Sequence, residues 1–444
     1  MRIGIVSFAW TDQNNGGLRS HVKDLAQDLR ELGASIFVHC VNTDPDAPIF
    51  ESRSWQEDGI SIHELNHANQ QATTLFDLQK VPQAEAILRE WCLREKLDLV
   101  HIHHNLFIGM GAIEALADYC PVITSLHDYW PLDPLGQLFD HKSMRSMIDQ
   151  QSWEDRLRAT WPNMIKKSHD SHQYFCEASE QKRIHQPNLQ KSWIAYSRRC
   201  LSRSRDLISP SQATASIFRD HGIEQPITVV ENGIQSREIA ASLRRDCLED
   251  KRPTGKIKLS ILGNIVPPKG QLQFCKTCLT LPYKDEIEIR LYGEFPKDYQ
   301  GERHPQDELR NLLHTHPDLF SYKGAYKRSQ LLDIYRHTDI AIVPSLWEEV
   351  YGLVAREALG YGLPLITTSA GGLESLKSIN TTLILDHQNP SSWSKALTLA
   401  YTEGPLLKWV YHRRHGISTS NFIPRSSQSC AADLFQIYTK SLAI

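Results

Sequence analysis

Two glutamates eight residues apart carry the strongest chemical signal in this chain. Glu349 and Glu357 lie in the segment P-S-L-W-E-E-V-Y-G-L-V-A-R-E-A-L-G-Y-G-L-P, which runs from Pro344 to Pro364. A helix N-terminus between them would attract an anion such as a phosphate, because its first amides lack partners and its dipole is positive there. The segment therefore predicts a phosphate site flanked by two carboxylates that can bind hydroxyl groups.

The flanking residues indicate which elements position these two acids. The apolar run Ile340–Val343 precedes the segment and Leu365–Thr367 follows it, so the order is strand, loop, helix, strand. In such parallel folds, ligands bind at the carboxyl ends of the strands. We expect Glu349 just before the helix and Glu357 about five residues inside it, roughly 7–8 Å along the axis.

A second loop has the composition of a diphosphate site. The sequence G-N-I-V-P-P-K-G, from Gly263 to Gly270, follows a predicted strand and opens a helix at Gln271. Backbone amides together with the ammonium group of Lys269 would suit a diphosphate. The loop matches neither the P-loop nor the G-x-G-x-x-G pattern, and an ordinary turn with a surface lysine is an equal alternative.

Two further glycine-containing stretches precede predicted helices. Gly16-Gly17 ends the first loop of the chain, and Ala370–Glu374 follows a predicted strand. At Gly16-Gly17, glycine permits close approach of the backbone to a ligand, and a flexible turn is the alternative. At Ala370–Glu374, small residues before a helix predict another amide-rich anion site, and a tight connection of the αβ type is the alternative.

Histidines cluster after two predicted strands. His127 follows the strand Val122–Leu126, where a structural histidine is commoner than a catalytic one. H-I-H-H, from His101 to His104, places His101 and His103 on one strand face, but no carboxylate or cysteine has a helpful spacing. We therefore expect no metal site, and we interpret Asp44-Pro45-Asp46 as a turn.

The composition is that of an ordinary globular protein. The chain has 444 residues, 41% hydrophobic and 23% charged, which suggests two or three domains. A net charge of −3 does not indicate nucleic acid binding, and no apolar run is long enough for a membrane span. The first residues predict a strand rather than a signal peptide, and nine scattered cysteines suit a reducing cytosol. Cys275-x-x-Cys278 lies in an apolar helical stretch, so we expect packing rather than redox or metal chemistry.

Short apolar strands alternate with helical patterns, which implies a parallel sheet, and this pattern restarts at Ile257. The polar stretch from about Gln235 to Lys256 is the expected connection between two domains. The segment from Pro131 to about Ser204 is an insertion to which the sequence assigns no fold. Its arginine-rich stripe, Ser192 to Arg205, is either a solvated helix face or a surface for anionic membranes.

The order of several motifs resembles that of the family 4 retaining glycosyltransferases of the GT-B fold. They are N-N-G-G-L-R-S-H-V at 14–22, L-H-D-Y-W at 126–130, I-S-P-S at 208–211, V-V-E-N-G-I at 229–234, the Lys269-Gly270 loop and the Glu-x7-Glu segment. The resemblance implies an α/β protein with two Rossmann-like domains whose parallel sheets face a cleft. Residues 1–235, with an insertion at about 131–204 and a returning helix at about 422–444, would bind the acceptor. Residues 236–421 would bind a nucleotide-diphosphate sugar.

The resemblance also implies roles by motif position. Glu349 would hold donor-sugar hydroxyls and Glu357 the ribose, while Lys269 would neutralise the diphosphate with amides near Gly352 and Leu353. Gly17 would approach the phosphates, His127 the sugar near its anomeric carbon, and Gly324–Tyr326 the base. One departure is Asn264, where the family usually has arginine; this puts phosphate stabilisation and donor identity in question.

The expected activity is therefore metal-independent, retaining transfer from a nucleotide sugar to a glycan or lipid-linked acceptor, with no cofactor. The expected location is the cytoplasm, with peripheral contact at the inner membrane face as one alternative. A nucleotide-sugar epimerase on the same fold and a non-catalytic sugar-nucleotide-binding protein are the competing functions.

Overall fold

The protein forms two compact units in a computed structural model that describes residues 1–8, 10, 16–67, 71–140, 145–146, 189–235, 255–296, 304–416 and 420–443. The first unit comprises Met1–Leu138, Ile148–Gly233 and Ser427–Ile444, and the second comprises Phe139–Met147 and Ile234–Ser426. Most of the predicted insertion and of the predicted connection between domains lies outside the described residues.

The first unit is built on an eight-stranded sheet in the order β10-β9-β6-β5-β1-β2-β4-β3. All neighbouring strands are parallel except β3 and β4, which are antiparallel. The strands are β1 Arg2–Val6, β2 Ser35–Asn42, β3 Ser52–Glu57, β4 Ile60–Asn66, β5 Leu99–Ile102, β6 Val122–Ser125, β9 Asp206–Ser209 and β10 Ile227–Val229. β5 and β6 are buried along their whole length, as expected for parallel strands covered on both faces.

Helices of this unit alternate with the strands. They are α1 Gly17–Glu31, α2 Leu75–Gln79, α3 Pro82–Arg94, α4 Gly111–Ala117, α5 Leu189–Leu201, α6 Gln212–Asp220 and a C-terminal helix, Ser427–Leu442. Within α1, Val22, Leu25 and Leu29 recur at three- and four-residue steps and are buried. Leu32 continues this spacing but is 45% exposed, because the helix ends one residue earlier.

The C-terminal helix belongs to the core of the first unit. Cys430, Leu434 and Tyr438 are buried there with residues of α1 and β1. The hydroxyl of Tyr438 lies 2.6 Å from Nδ1 of His101, and Ser441 Oγ donates a hydrogen bond of 2.6 Å to Asp206 Oδ2. The last residues of the chain therefore complete the fold of the first ones.

The second unit has a six-stranded, fully parallel sheet in the order β13-β12-β11-β14-β15-β16. Its strands are β11 Ile257–Leu262, β12 Ile287–Tyr292, β13 Phe320–Gly324, β14 Ile340–Val343, β15 Leu365–Thr368 and β16 Thr382–Leu385; a separate two-stranded hairpin is β7 Phe139–Asp140 and β8 Arg145–Ser146. Its helices are α7 Gln271–Leu279, α8 His304–Thr315, α9 Leu331–Arg336, α10 Leu353–Gly360, α11 Trp393–Thr402 and α12 Leu406–Arg414. Five 3₁₀ turns are described: Pro267–Lys269, Lys284–Glu286, Arg328–Gln330, Gly371–Ser378 and Pro390–Ser392.

Cys275 and Cys278 of α7 are fully buried in the core of the second unit. Burial raises the pKa of both thiols, so they stay protonated and behave as small apolar side chains. The prediction that this pair serves packing is confirmed.

The sequence predicts neither the β7–β8 pair, which lies in the insertion, nor four strands of the two large sheets. β3 and β13 contain exposed polar residues, and β16 lies at an edge with most of its residues half-buried. β4 is buried, but its apolar run is interrupted by His63 and Glu64, which are themselves buried. Edge exposure and buried polar residues both weaken the apolar pattern by which a strand is recognised.

Candidate active site

The Lys269 loop is held against the end of β14. Gly270 follows the 3₁₀ turn with φ +71°, and a Cβ atom there would lie 2.0 Å from the carbonyl oxygen of Pro344. Only glycine allows both this backbone conformation and this approach. Leu346 N donates to the carbonyl of Pro268, so Lys269 lies beside the loop that carries Glu349.

The side chains of Lys269 and Glu349 form an ion pair. Lys269 Nζ donates to Glu349 Oε1 at 2.5 Å, and Ser345 Oγ donates to the same oxygen at 2.6 Å. Burial alone would raise the pKa of Glu349, but the Lys269 charge and hydrogen bonds from Lys269, Ser345 and Trp347 hold it below its ordinary value. The carboxylate is therefore ionised at neutral pH.

The Lys269 ammonium remains partly accessible. Its side chain is 34% exposed, whereas that of Glu349 is 8% exposed. Nζ also lies 5.2 Å from the ring centroid of Trp347, within the range of a cation–π interaction. A buried carboxylate and an aromatic ring thus position a cation that solvent, or an anionic ligand, can reach.

The backbone of Glu349 is fixed by the 3₁₀ stretch Gly371–Ser378. Gly372 N donates to the carbonyl of Glu349 at 2.6 Å, and a Cβ on Gly371 would lie 2.4 Å from the same oxygen. The sequence predicted a helix and an amide-rich anion site here. Instead, the stretch is 3₁₀, and an amide of this glycine pair holds the loop of Glu349.

The neighbouring acid, Glu348, makes a buried polar contact with His387. Its Oε1 lies 3.1 Å from His387 Nε2, and His387 Nδ1 lies 3.0 Å from Ser369 Oγ. Both Glu348 and His387 are buried. The two consecutive glutamates therefore have separate partners, and only Glu349 is paired with the lysine.

The amide-rich terminus of α10 begins three residues after Glu349. Gly352 is its N-cap with φ +79°, and no side chain caps the helix. Leu353 is the first helical residue, and Arg356 N bonds to the carbonyl of Gly352. The amides before Arg356 therefore lie at a helix N-terminus, where anions are attracted in general, and the binding of a phosphate by them stays a prediction.

Glu357 is the fifth residue of α10 and is half-buried. Burial and the Glu357 charge raise the pKa of Tyr326, so the two side chains are close enough to interact. Tyr326 also meets Tyr292 edge-to-face, with 6.5 Å between ring centroids. A cavity of roughly 320 Å³ adjoins these tyrosines, with Arg290 and Lys323 in its lining.

Four histidines converge in the first unit. His103 Nδ1 lies 3.0 Å from His127 Nε2, and the ring of His21 is 5.3 Å from that of His127. The ring of His101 packs on His103 at 3.9 Å, so the prediction that they share a face is confirmed. Burial lowers the pKa of His21 to about 4 and that of His101 to about 3. Burial and neighbouring histidines hold the pKa values of His103 and His127 well below the ordinary value. All four rings are neutral at pH 7.

The remaining predicted positions are less constrained. Gly17 is exposed and begins α1, after Gly16 in an extended conformation. Asn264 has an exposed side chain, and its carbonyl accepts a bond of 2.9 Å from Gln271 Nε2. Asp44-Pro45-Asp46 is the predicted turn, because Asp46 N donates to Asp44 Oδ1 at 2.9 Å.

Three residues that hold the site are not among those predicted from the sequence. Ser345, Trp347 and His387 act through contacts made only in the folded chain. The serine and the tryptophan lie within the recognised segment, four and two residues before Glu349, respectively. They could have been proposed as its neighbours, whereas His387 could not.

Two α/β units with parallel sheets, the second carrying glycine loops at strand ends, define the GT-B fold. The sequence pattern of Glycosyltransferase Family 4 matches residues 15–238, and that of Glycosyl transferases group 1 matches residues 249–411. The chain belongs to Glycosyltransferase Family 4.

Curated relatives match parts of the chain. The D-inositol 3-phosphate glycosyltransferase of Paenarthrobacter aurescens is 26% identical over 185 residues, 40% of this chain and 43% of that protein. The putative glycosyltransferase YtcC of Bacillus subtilis is 33% identical over 164 residues, 36% of this chain and 39% of that protein. The matched stretches thus span less than half the length of these relatives.

Solved structures match over nearly the whole chain and support the fold. Sucrose-phosphate synthase from Thermosynechococcus elongatus has a TM-score of 0.67 at 15% identity, covering 100% of this chain and 99% of that one. Anabaena HepE, solved with UDP and glucose, has a TM-score of 0.60 at 14% identity, covering 98% and 99%. Among the residues described, no helix combines the length and apolarity that a membrane span requires.

Proposed function

We propose that this protein transfers a sugar from a nucleotide-diphosphate sugar to an acceptor hydroxyl, with retention of anomeric configuration and without a metal. The contact between Lys269 and Glu349 carries the proposal, because it joins a reachable cation to an ionised, buried acid. The family and the UDP bound to Anabaena HepE support the donor class.

In this reaction the bond between the anomeric carbon and the diphosphate oxygen breaks, and negative charge develops on the phosphates. Lys269 and the amides of Gly352 and Leu353 would stabilise that charge from fixed positions. The sugar passes through an oxocarbenium-like state, and Glu349 would hold its hydroxyls. The new bond forms from the acceptor oxygen on the same face, and its proton goes to the departing phosphate.

The other roles follow the motif positions. Glu357 would bind the ribose hydroxyls, and Tyr326 would contact the base. In the first unit, which we propose to be the acceptor domain, His127 would contact the donor sugar and Gly17 the phosphates. Asn264 removes one arginine charge from the usual phosphate contacts, so Lys269 would carry a larger share of them.

We place the activity in glycan, polysaccharide or glycolipid biosynthesis in the cytoplasm. The arginine stripe of α5 and the turn after it does not favour contact with an anionic membrane. Arg198, Arg199 and Arg203 are paired with Glu224, Glu114 and Asp118, respectively, and such pairing reduces attraction to anionic lipid. A glycan acceptor therefore fits better than a membrane-held one.

A thermal-shift screen of nucleoside diphosphates and their sugars tests the donor, because a bound ligand stabilises the folded state by mass action. The best donor is then incubated with a panel of glycan acceptors, and the anomeric configuration of the product is determined by NMR. Recovery of an epimerised nucleotide sugar, or donor binding without transfer to any acceptor, would contradict the proposal.

A further inference from the structure

Three imidazoles from separate parts of the first unit meet at one point. His21 lies in α1, His103 follows β5 and His127 follows β6. One ligand nitrogen from each can be chosen so that all three lie within 4.8 Å of one another. We propose that His21, His103 and His127 bind a divalent transition-metal ion of the Zn²⁺ type, a site that the sequence predicted to be absent.

The spacing of the nitrogens is near that of a tetrahedral site. Zn–N bonds of about 2.0–2.1 Å place two ligand nitrogens about 3.3 Å apart. His103 Nδ1 and His127 Nε2 are already 3.0 Å apart. A nitrogen of His21 would have to approach by about 1.5 Å at most, starting from the 4.8 Å limit.

His103 is held in place for such a role. It is 1% exposed, and its backbone amide donates to the carbonyl of Val6 at 2.8 Å. Without an ion, Nδ1 of His103 and Nε2 of His127 share one proton in a hydrogen bond. An ion bound by these two nitrogens takes the place of that proton, which the other nitrogen of the same ring can carry.

The chemistry of the three ligands limits the ion. All are imidazoles, which suit Zn²⁺, Cu²⁺ and Ni²⁺, whereas Mg²⁺ and Ca²⁺ prefer oxygen. Imidazole binds these ions through the lone pair of a deprotonated ring nitrogen. The neighbouring ring of His101, held by Ser125 Oγ at 2.8 Å and Tyr438 OH at 2.6 Å, packs on His103 and limits its motion.

Occupation of this site has a consequence that rests on the proposed function. A metal held by His127 prevents that ring from contacting the donor sugar, so Zn²⁺ inhibits transfer and a chelator restores it. The ion is then a regulator of the reaction and takes no part in the chemical step. Metal binding itself is independent of this consequence and can be measured without any donor.

The direct experiment uses the whole chain, freed of metal by a chelator and then titrated with Zn²⁺ by calorimetry. We expect one equivalent with a dissociation constant at or below the micromolar range. His21→Gln and His103→Gln should each weaken it at least tenfold. His63→Gln is the control, because His63 Nδ1 lies 2.9 Å from His39 Nδ1 in a second buried histidine pair of the same unit.

X-ray absorption of the Zn²⁺-loaded natural protein needs no variant and remains informative if a variant fails to fold. Three imidazoles in the first coordination shell support the site. A shell with fewer than three imidazoles, millimolar binding only, or affinity that survives both His21→Gln and His103→Gln would overturn it. Failure to find transfer activity would contradict the proposed function and leave the titration result unchanged.

Discussion

Lys269 Nζ donates to Glu349 Oε1 at 2.5 Å, although the two residues lie 80 positions apart in the chain. The sequence assigned them to different parts of a ligand, the diphosphate and the sugar. In the fold they are partners, so a diphosphate that binds there would compete with Glu349 for the ammonium group. Substitution of either residue should therefore change how much the other contributes to donor binding and turnover.

A double-mutant cycle measures this coupling. Glu349→Gln should lower kcat by about 10²–10³-fold with little change in donor affinity, because it acts mainly where charge develops. Lys269→Met should weaken donor binding in calorimetry. The change in activation free energy of the double variant, obtained from kcat/KM, should differ from the sum of the changes in the two single variants by about 1–3 kcal/mol. Independent, additive effects, or unchanged turnover of Glu349→Gln, would contradict the shared role.

The stability of the protein should depend on pH through Glu349. Its pKa is lowered in the folded state, mainly because the Lys269 charge and hydrogen bonds outweigh burial. Ionised Glu349 therefore stabilises the fold above its unfolded pKa of about 4.3, and this stabilisation is lost as the pH falls through the folded value.

Urea unfolding of the natural protein and Glu349→Gln checks this dependence between pH 7 and pH 3. The free-energy difference between them should be largest near neutrality and should shrink below about pH 4. Glu374→Gln is the control, because Glu374 is exposed and pairs with Lys377 on the surface. Its effect should stay within about 0.5 kcal/mol throughout. A constant difference for Glu349→Gln would show that the pair does not control its ionisation.

Gly371 should be required for the position of Glu349. Alanine there places a Cβ 2.4 Å from the Glu349 carbonyl oxygen, at φ +54°. Gly33→Ala is a matched control, because Gly33 has φ +91° and no atom within 4 Å of its Cβ position. Both variants should lose about 1 kcal/mol of stability from backbone strain, whereas only Gly371→Ala should also lose kcat. Equal activity losses would rule out the steric explanation.

Glu357→Gln should weaken the binding of the nucleoside diphosphate about tenfold, since a charge-assisted hydrogen bond contributes about 1.5–3 kcal/mol. Calorimetry is done with the nucleoside diphosphate and, separately, with pyrophosphate, which has no ribose and no base. The comparison shows whether Glu357 contacts the ribose or the phosphates. Pyrophosphate affinity should not fall. A loss of both affinities would place Glu357 with the phosphates instead.

Tyr438→Phe should affect both stability and the histidine cluster, because it removes the hydroxyl that lies 2.6 Å from His101 Nδ1. We expect a loss of about 1 kcal/mol in urea unfolding and shifted imidazole signals in NMR. Tyr411→Phe, at a side chain that is 56% exposed, is the control and should change neither. An unshifted spectrum of Tyr438→Phe would show that the helix does not position these rings.

Much of the second unit could be predicted because its apolar pattern is local. The strand Ile340–Val343, the helix containing Glu357 and the helix beginning at Gln271 all lie where the sequence placed them. These elements are recognised from residues next to one another in the chain, and the glycine and proline positions set their limits.

The partners of the site residues could not be predicted in the same way. Glu349 meets Lys269 and Gly371, and His127 meets His21 and His103, only because separate strands end at the same edge of a sheet. From the sequence, His101 and His103 are the pair considered as metal ligands, and no metal site is expected. In the structure, His101 is hydrogen-bonded to Ser125 and Tyr438. The histidines that lie beside His103 as possible ligands are His21 and His127. Pairings across such distances depend on the folded sheet and not on local spacing.

Because Ser427–Leu442 belongs to the first unit, that unit is not a continuous stretch of the gene. A fragment ending near residue 235 would leave the apolar side of α1 in water, where Leu434 and Tyr438 would otherwise cover it. Separate expression of this half therefore requires the codons of Ser427–Leu442 to be joined to it, and during synthesis on the ribosome its core stays incomplete until that helix emerges.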